Sequence, residues 1–374
     1  MKVLHLPTSV GGMGWALAEA ERAHGMDARV LVLSQNDYGY PADIDLHLER
    51  RGTAGRLAGH AAAFIRYRTG FDAYHFNYGS SLLHFLRRGV TLLDLPFYDA
   101  RARKVITFNG CDARQKYPTM ARNQRAGNCV AACFADDCYG GMCNSGELDR
   151  HRRQAIEKAE RHADHFFAVN PDLLYFLPRD KTTFLPYAVA RTSAAGKARF
   201  FENDVVHIVH APTQRAAKGT PAVLAALEEL RREQGDRVRI TLVERRTYAE
   251  AQEIYRSADL IVDQVLVGWY GAVAVEAMYA GVPVACYIND DHLRFVPTAM
   301  ARDLPLLRVT PGTLLPQLRR FVRDREMAFE LAARGRAFAE RWHDPFQLAR
   351  ITAAAYRHDT IPALESLVCA ASPA

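Results

Sequence analysis

The chain has 374 residues, 49% hydrophobic and 24% charged, and 48 Lys and Arg against 42 Asp and Glu leave a net charge of +6. That length exceeds one ordinary core and fits two soluble globular domains. The modest positive charge permits anionic substrates and peripheral contact with an anionic membrane, while the lack of a basic block interleaved with aromatics excludes nucleic acid as an expected partner.

The start, MKVLHLPTSVGGMG, carries one Lys and a short apolar run before Pro7, unlike a signal peptide. No stretch approaches the roughly 18 apolar residues of a membrane span, so a cytoplasmic protein is expected, soluble or at the inner face of the membrane. Residues 2–6 read as a strand, the following PTSVGGMG as a glycine loop, WALAEAERAHG as a helix and 27–34 as a second strand. This βαβ opening lacks the full G-x-G-x-x-G spacing, and no acidic residue ends its second strand, which disfavours a dinucleotide cofactor. A loop through Gly11 and Gly12 that lets a sugar diphosphate approach the backbone remains open.

A helix is expected over 54–68, a strand over 71–77 ending beyond His75, a short helix in SLLHFLRRG and a strand over 103–110. That last strand runs into the polar group Asn109, Gly110, Cys111, Asp112 and Arg114, at the strand end where open α/β sheets place their sites. Periodicity then disappears from 115 to 145. Helix resumes behind Asn144 and Glu147, read as a capping box, and Asn170-Pro171 reads as the start of another helix, PDLLYFL. The small, polar segment 191–204 is the expected linker.

Beyond it, strands and helices alternate again. The strand VVHIVHA leads into the loop PTQRAAKG, and Thr220-Pro221 caps the next helix. Arg215 and Lys218 lie in that loop, where two cations and a helix N-terminus can neutralise a diphosphate. Thr247 and Glu250 form a second capping box. A strand over 260–267 then meets the small and aromatic turn Gly268, Trp269, Tyr270, Gly271, followed by the helix AVAVEAMYA. A strand, a glycine turn and a helix start bring backbone N–H groups and a positive dipole end to one spot, which suits a phosphate. Glu276 sits about a turn and a half into that helix. The sequence therefore predicts two doubly wound α/β domains with mostly parallel sheets.

Together the GG loop at 11–12, the Arg215/Lys218 loop and the run GWYG…Glu-Ala-Met…G-x-P-V resemble the GT-B glycosyltransferases, and among them the retaining enzymes of glycosyltransferase family 4. The resemblance covers nearly the whole chain and is strongest over 205–290. It implies two Rossmann-like domains facing an interdomain cleft: an acceptor-side domain over 1–190 and a nucleotide-sugar domain over 205–340. A helical tail over 341–374 would cross back to the first domain. Glu276 would hold the ribose hydroxyls, Arg215 and Lys218 the diphosphate, the Tyr270-Gly271-Ala272 amides a phosphate, and Gly11 and Gly12 the donor from the other side.

The family's usual spacing for the basic pair is longer than here, and Thr213 takes the expected arginine place. Gly268 stands where the family often has an acid, with Asp263 and Gln264 as nearby replacements, and Asn109 stands where it often has a histidine. His75 is the other polar candidate for the chemistry. The resemblance implies transfer of a sugar from a UDP- or GDP-sugar to a glycan, lipid-linked or small-molecule acceptor, as in polysaccharide assembly, with no cofactor or metal needed for the chemistry. A catalytically degenerate binder of nucleotide or glycan is the alternative.

Cys129, Cys133, Cys138 and Cys143 give C-x3-C-x4-C-x4-C inside an insert over about 111–145. Four soft ligands in fifteen residues suit a structural Zn²⁺, with two disulfides, an iron–sulfur cluster or four separate thiols as the other readings. Cys111 is an extra candidate ligand, while Cys286 and Cys369 are read as unconnected to it.

Overall fold

The computed structural model describes residues 1–35, 38–125, 133, 138–191, 196–197 and 199–369. They fall into two compact units, each considered by itself. One comprises Met1–Gln115, Met142–Ala190 and Asp344–Ala374; the other comprises Lys116–Gly141 and Arg191–His343.

In chain order the first stretch runs β1 (Lys2–Leu6), α1 (Met13–Ala23), β2 (Asp27–Val32), β3 (Ile44–Asp45), α2 (Thr53–Tyr67), β4 (Ala73–Asn77) and β5 (Arg103–Phe108). After α3 (Lys116–Arg125), which groups with the second unit, come α4 (Glu147–His162), β6 (His165–Ala168) and β7 (Thr182–Phe184). The seven strands form one parallel sheet in the order β3-β2-β1-β4-β5-β6-β7. Val3, Leu4, Leu6, Val105, Ile106 and Phe108 have no exposed surface, as near-continuous apolar strands covered on both faces require. Each such side chain contributes about 2 kcal/mol by burial.

The second unit runs β8 (Val206–His210), α5 (Arg215–Lys218), α6 (Thr220–Gln234), β9 (Val238–Leu242), α7 (Tyr248–Ser257), β10 (Leu260–Gln264), α8 (Ala272–Tyr279) and β11 (Val284–Cys286). It continues through α9 (Thr298–Arg302), β12 (Leu307–Arg308), α10 (Leu314–Phe321) and α11 (Arg325–Trp342). Its parallel sheet has the order β12-β11-β10-β8-β9. The strand order reverses between β8 and β10, so the loops leaving their carboxyl ends flank a crevice at the topological switch point. The chain then returns to the first unit as α12 (Pro345–Arg357) and α13 (Leu364–Cys369), with α12 packed on α1.

Local expectations fared unevenly. The Thr247–Glu250 capping box forms in full. The box expected at Asn144 and Glu147 does not: α4 starts behind Gly146 in a left-handed conformation, and the Glu147 N–H is taken by the Ser145 hydroxyl at 3.2 Å. Thr220 is not a cap either. Gly219 holds that place, and the Thr220 hydroxyl turns into the core, 2.9 Å from His210 Nε2. SLLHFLRRG and PDLLYFL yield only short 3-10 turns, Leu86–Arg88 and Pro171–Tyr175. The strand expected to reach 267 stops at Gln264, whose side-chain oxygen accepts the N–H groups of Leu266 and Val267 and so bends the chain out of the ladder. The aperiodic stretch from 115 contains α3.

Candidate active site

Two loops meet at the switch point of the second unit. The loop after β8 winds into α5, capped by the Gln214 side chain on the Ala217 N–H, and brings Lys218 over the sheet end. The Lys218 carbonyl accepts the Val265 N–H at 3.1 Å, tying this loop to the one leaving β10.

Asp263, at the end of β10, joins the parts. Its buried carboxylate is ion-paired with the Lys218 ammonium and accepts the Gly271 N–H at 2.7 Å. Gly271 is the N-cap of α8, so a carboxylate of the protein sits where the dipole end of that helix favours an anion. Lys218, Gly271 and Ala272 are thus gathered at one place, as expected. From sequence, Asp263 is only a nearby replacement for the missing acid. Its position beside the lysine was not legible, because the two are 45 residues apart.

Glu276, on the second turn of α8, is buried, and its carboxylate accepts an N–H from Gln252 of α7 at 2.8 Å. Burial, and after it the charge of Asp263, raises the Glu276 pKa to about 8. The carboxyl is therefore largely protonated at neutral pH, and Gln252 is a partner that sequence reasoning missed.

Arg215 is placed differently from Lys218. Its guanidinium is more than half exposed and makes two bonds, 2.7 and 2.6 Å, to the Glu244 carboxylate at the end of the β9 strand. This bidentate bond raises the arginine's pKa and lowers that of Glu244. Tyr270, expected to offer its backbone amide, keeps its side chain out of the turn. Its side chain is fully buried, stacked on Trp269 with ring centroids 4.6 Å apart, and its hydroxyl lies 2.9 Å from His343 Nε2. Only its backbone belongs to the turn.

Gly268 proves to be more than a missing acid. Its φ is +84°, and a Cβ there would lie 2.9 Å from Asn289 Cβ and 3.1 Å from the His292 ring. The loop is built around a residue without a side chain. Beside it, Tyr287–Asp291, Arg308–Thr310 and Thr313 line an open cavity of about 560 Å³ at the carboxyl ends of β11 and β12.

In the first unit, Gly11 and Gly12 take left-handed conformations ahead of α1, whose first turn has no capping side chain. A Cβ on Gly12 would lie 2.9 Å from the Tyr40 ring. Met13, the next residue, has its sulfur 3.9 Å from Asn109 Nδ2, so the glycine loop and the end of β5 are brought together. The Asn109 loop is held from both sides: Asp112 accepts the N–H groups of Asn109 and Gly110 at 2.9 and 2.5 Å, and Asn170 donates to the Asn109 carbonyl. Asn109 Oδ1 is buried and has no hydrogen-bond partner among the described residues, so a polar ligand group has an acceptor there.

His75 does not reach this surface. It is fully buried, with Nδ1 2.6 Å from the Tyr356 hydroxyl and Nε2 2.6 Å from Thr107 Oγ1. The Tyr356 hydroxyl donates onward to Glu21, so it accepts from His75 Nδ1–H, and Nε2 is left to accept from Thr107. Burial, and then the neighbouring His5, hold His75 well below the usual histidine range. As placed it is a neutral core residue, not a base facing a substrate.

Of the expected zinc ligands, Cys129 lies outside the described residues. Cys133 and Cys138 are half-buried, and Cys143 is buried with its sulfur 3.8 Å from Arg152 Nη2. The Cys111 carbonyl accepts from Arg152 Nε at 2.6 Å.

No family model matches the chain, and no curated protein does. Solved structures do. Sucrose-phosphate synthase from Thermosynechococcus elongatus is similar at 17% identity over 96% of this chain and 98% of that one, with a TM-score of 0.59. HepE from Anabaena, solved in complex with UDP-glucose, is 13% identical over 96% and 100% of the two chains, at 0.60. WaaG, a glycosyltransferase involved in lipopolysaccharide biosynthesis, is 14% identical over 95% and 99%, at 0.58. At such identities the likeness establishes the fold. The chain has the GT-B architecture, two α/β units each built on a parallel sheet.

Proposed function

We propose that the protein is a retaining glycosyltransferase that moves a hexosyl group from a UDP- or GDP-sugar to a glycan, lipid-linked or small-molecule acceptor. The observation that carries this reading is the meeting of Lys218 and the Gly271 amide on Asp263 at the end of β10, with Glu276 on the helix that Gly271 caps. The UDP-glucose held by HepE supports the donor class. In this mechanism Glu276 binds the ribose hydroxyls, and Lys218, Arg215 and the first amides of α8 take the charge that develops on the departing diphosphate. Preorganised donors and cations of this kind supply much of the rate enhancement in many enzymes. The acceptor proton passes to the leaving phosphate, so no protein base is required. Asn109, with its open carbonyl oxygen, then serves as a hydrogen-bond acceptor for a sugar hydroxyl. Gly11 and Gly12 allow the donor to approach the backbone.

A second reading, a GT-B protein that binds nucleotide or glycan without transfer, is favoured by one observation: Asp263 already neutralises Lys218 and occupies the Gly271 N–H. A panel of nucleotide sugars separates the two. Donor hydrolysis or transfer that disappears in Glu276→Ala supports the enzyme. Binding without turnover across the acceptor panel supports the binder, and failure of every UDP and GDP species to bind overturns both.

A further inference from the structure

Helix α2 has two unlike faces. The inner one packs on the segment 82–98: Gly59 and Ala63 are buried, His60 Nδ1 lies 2.6 Å from the Leu82 carbonyl, and the Phe64 ring meets Tyr98 edge-on at 5.6 Å. The outer face carries Leu57, Ala58, Ala61, Ala62 and Ile65, all exposed, and Ile65 is 70% so. Their spacing puts them on one side of the helix, in a strip about 12 Å long. Nine large hydrophobic side chains are exposed among the described residues. Five of these, Leu57, Ile65, Val90, Leu93 and Phe97, belong to α2 and the segment it packs on. An apolar concentration of this kind on a folded unit marks a contact surface.

The charges around it are of one sign. From Arg50 to Phe71 there are five arginines, at 50, 51, 56, 66 and 68, and no Asp or Glu. All five are exposed. The packed segment adds exposed Arg87 and Arg88, and exposed Arg101 follows it, while its Asp94 is buried against the hydroxyls of Ser81 and Tyr98. The acids bordering these stretches in the chain are Glu49, 3.5 Å from Arg50, the exposed Asp72, whose carboxylate accepts the Lys2 N–H, and the half-buried Asp99. A helix lying flat, with bulky apolar side chains outward and arginines flanking them, fits the interface of an anionic bilayer, where acyl chains take the apolar groups and phosphates take the guanidiniums. Among the described residues no helix is long and apolar enough to cross a membrane, so this contact would be a surface one.

We propose that the outer face of α2, with the exposed Leu93 and Phe97 of the segment it packs on, is a docking surface for an anionic lipid bilayer. The assignment uses nothing of the nucleotide-sugar reading and stands or falls apart from it. The test is co-sedimentation of the full chain with phosphatidylcholine vesicles containing or lacking phosphatidylglycerol. Binding is expected only to the anionic vesicles, weakened by salt and reduced at least about tenfold by Leu57→Asp with Ile65→Asp, or by Arg56→Glu with Arg66→Glu. These positions are exposed, and circular dichroism checks that the variants fold. In Ile65→Trp, vesicle binding should shift the emission of the introduced indole to the blue and expose it to quenching by brominated acyl chains. Absence of binding to anionic vesicles, equal binding to neutral ones, binding that survives both pairs, or an introduced indole whose emission does not shift overturns the proposal.

Discussion

In the first unit, polar side chains from β1, α1, β4 and α12 meet in the core. The Glu21 carboxylate lies 2.8 Å from His5 Nε2 and accepts from the Thr352 and Tyr356 hydroxyls at 2.7 and 2.9 Å, with His75 and Thr107 continuing the chain. In the second unit, Asp263 is as deeply buried and also gathers donors, but its partners are a lysine and a helix-end amide at the mouth of the sheet. Both clusters sit on parallel strands, yet one closes on itself and the other borders solvent through Lys218. The first network is spent on fixing α12 against α1. The second holds its cation and amide at the sheet end, where the proposed function places a nucleotide diphosphate. Burial of a charge is therefore no guide to function until its partners are known.

The comparison can be broken by substitution. Glu21→Ala should have the largest effect on stability, about 4 kcal/mol, because it removes the acceptor of the buried Tyr356 hydroxyl and the partner of His5, leaving Thr352 only its longer bond to the Ala349 carbonyl. Urea unfolding measures it, and hydrogen exchange should rise first in α12. Lys218→Ala should cost about 3 kcal/mol by leaving Asp263 buried without its counter-charge, and should also weaken UDP binding about tenfold. A variant that lost stability but kept nucleotide affinity would place Lys218 with the structural cluster instead.

Glu276 sharpens the contrast through pH. Its folded pKa of about 8 lies above the ordinary 4.5, so the folded state binds the extra proton between those values. Its contribution to stability is fully present below about pH 4.5 and is lost as pH rises through 8. Glu276→Gln should flatten that slope in denaturation profiles. Arg215→Ala should have the smallest effect on unfolding, since the exposed pair with Glu244 adds little to the fold. Nucleotide titration should still register its loss.

Much of this molecule was legible in periodicity and turn chemistry. Apolar strand runs separated by amphipathic helices gave two α/β units, and the capping box at Thr247 and Glu250 formed as written. The glycine turn before Glu276 was found because strand, small residues and helix are contiguous in the chain. Side-chain direction was not legible. His75 read as a polar candidate for the chemistry, Thr220 as a helix cap and Tyr270 as part of a phosphate turn, and the side chain of each turns inward to a partner elsewhere in the sequence: Tyr356, His210 and His343.

The sequence by itself determined the alternation of elements and the places where the chain turns, because propensity, burial pattern and glycine are local properties. Only the tertiary structure decided what those turns hold. Strand order brought the β8 and β10 loops together and set Asp263 between Lys218 and Gly271, while α12 closed over His75. These pairings depend on the approach of residues far apart in the chain, and local patterning does not encode that approach.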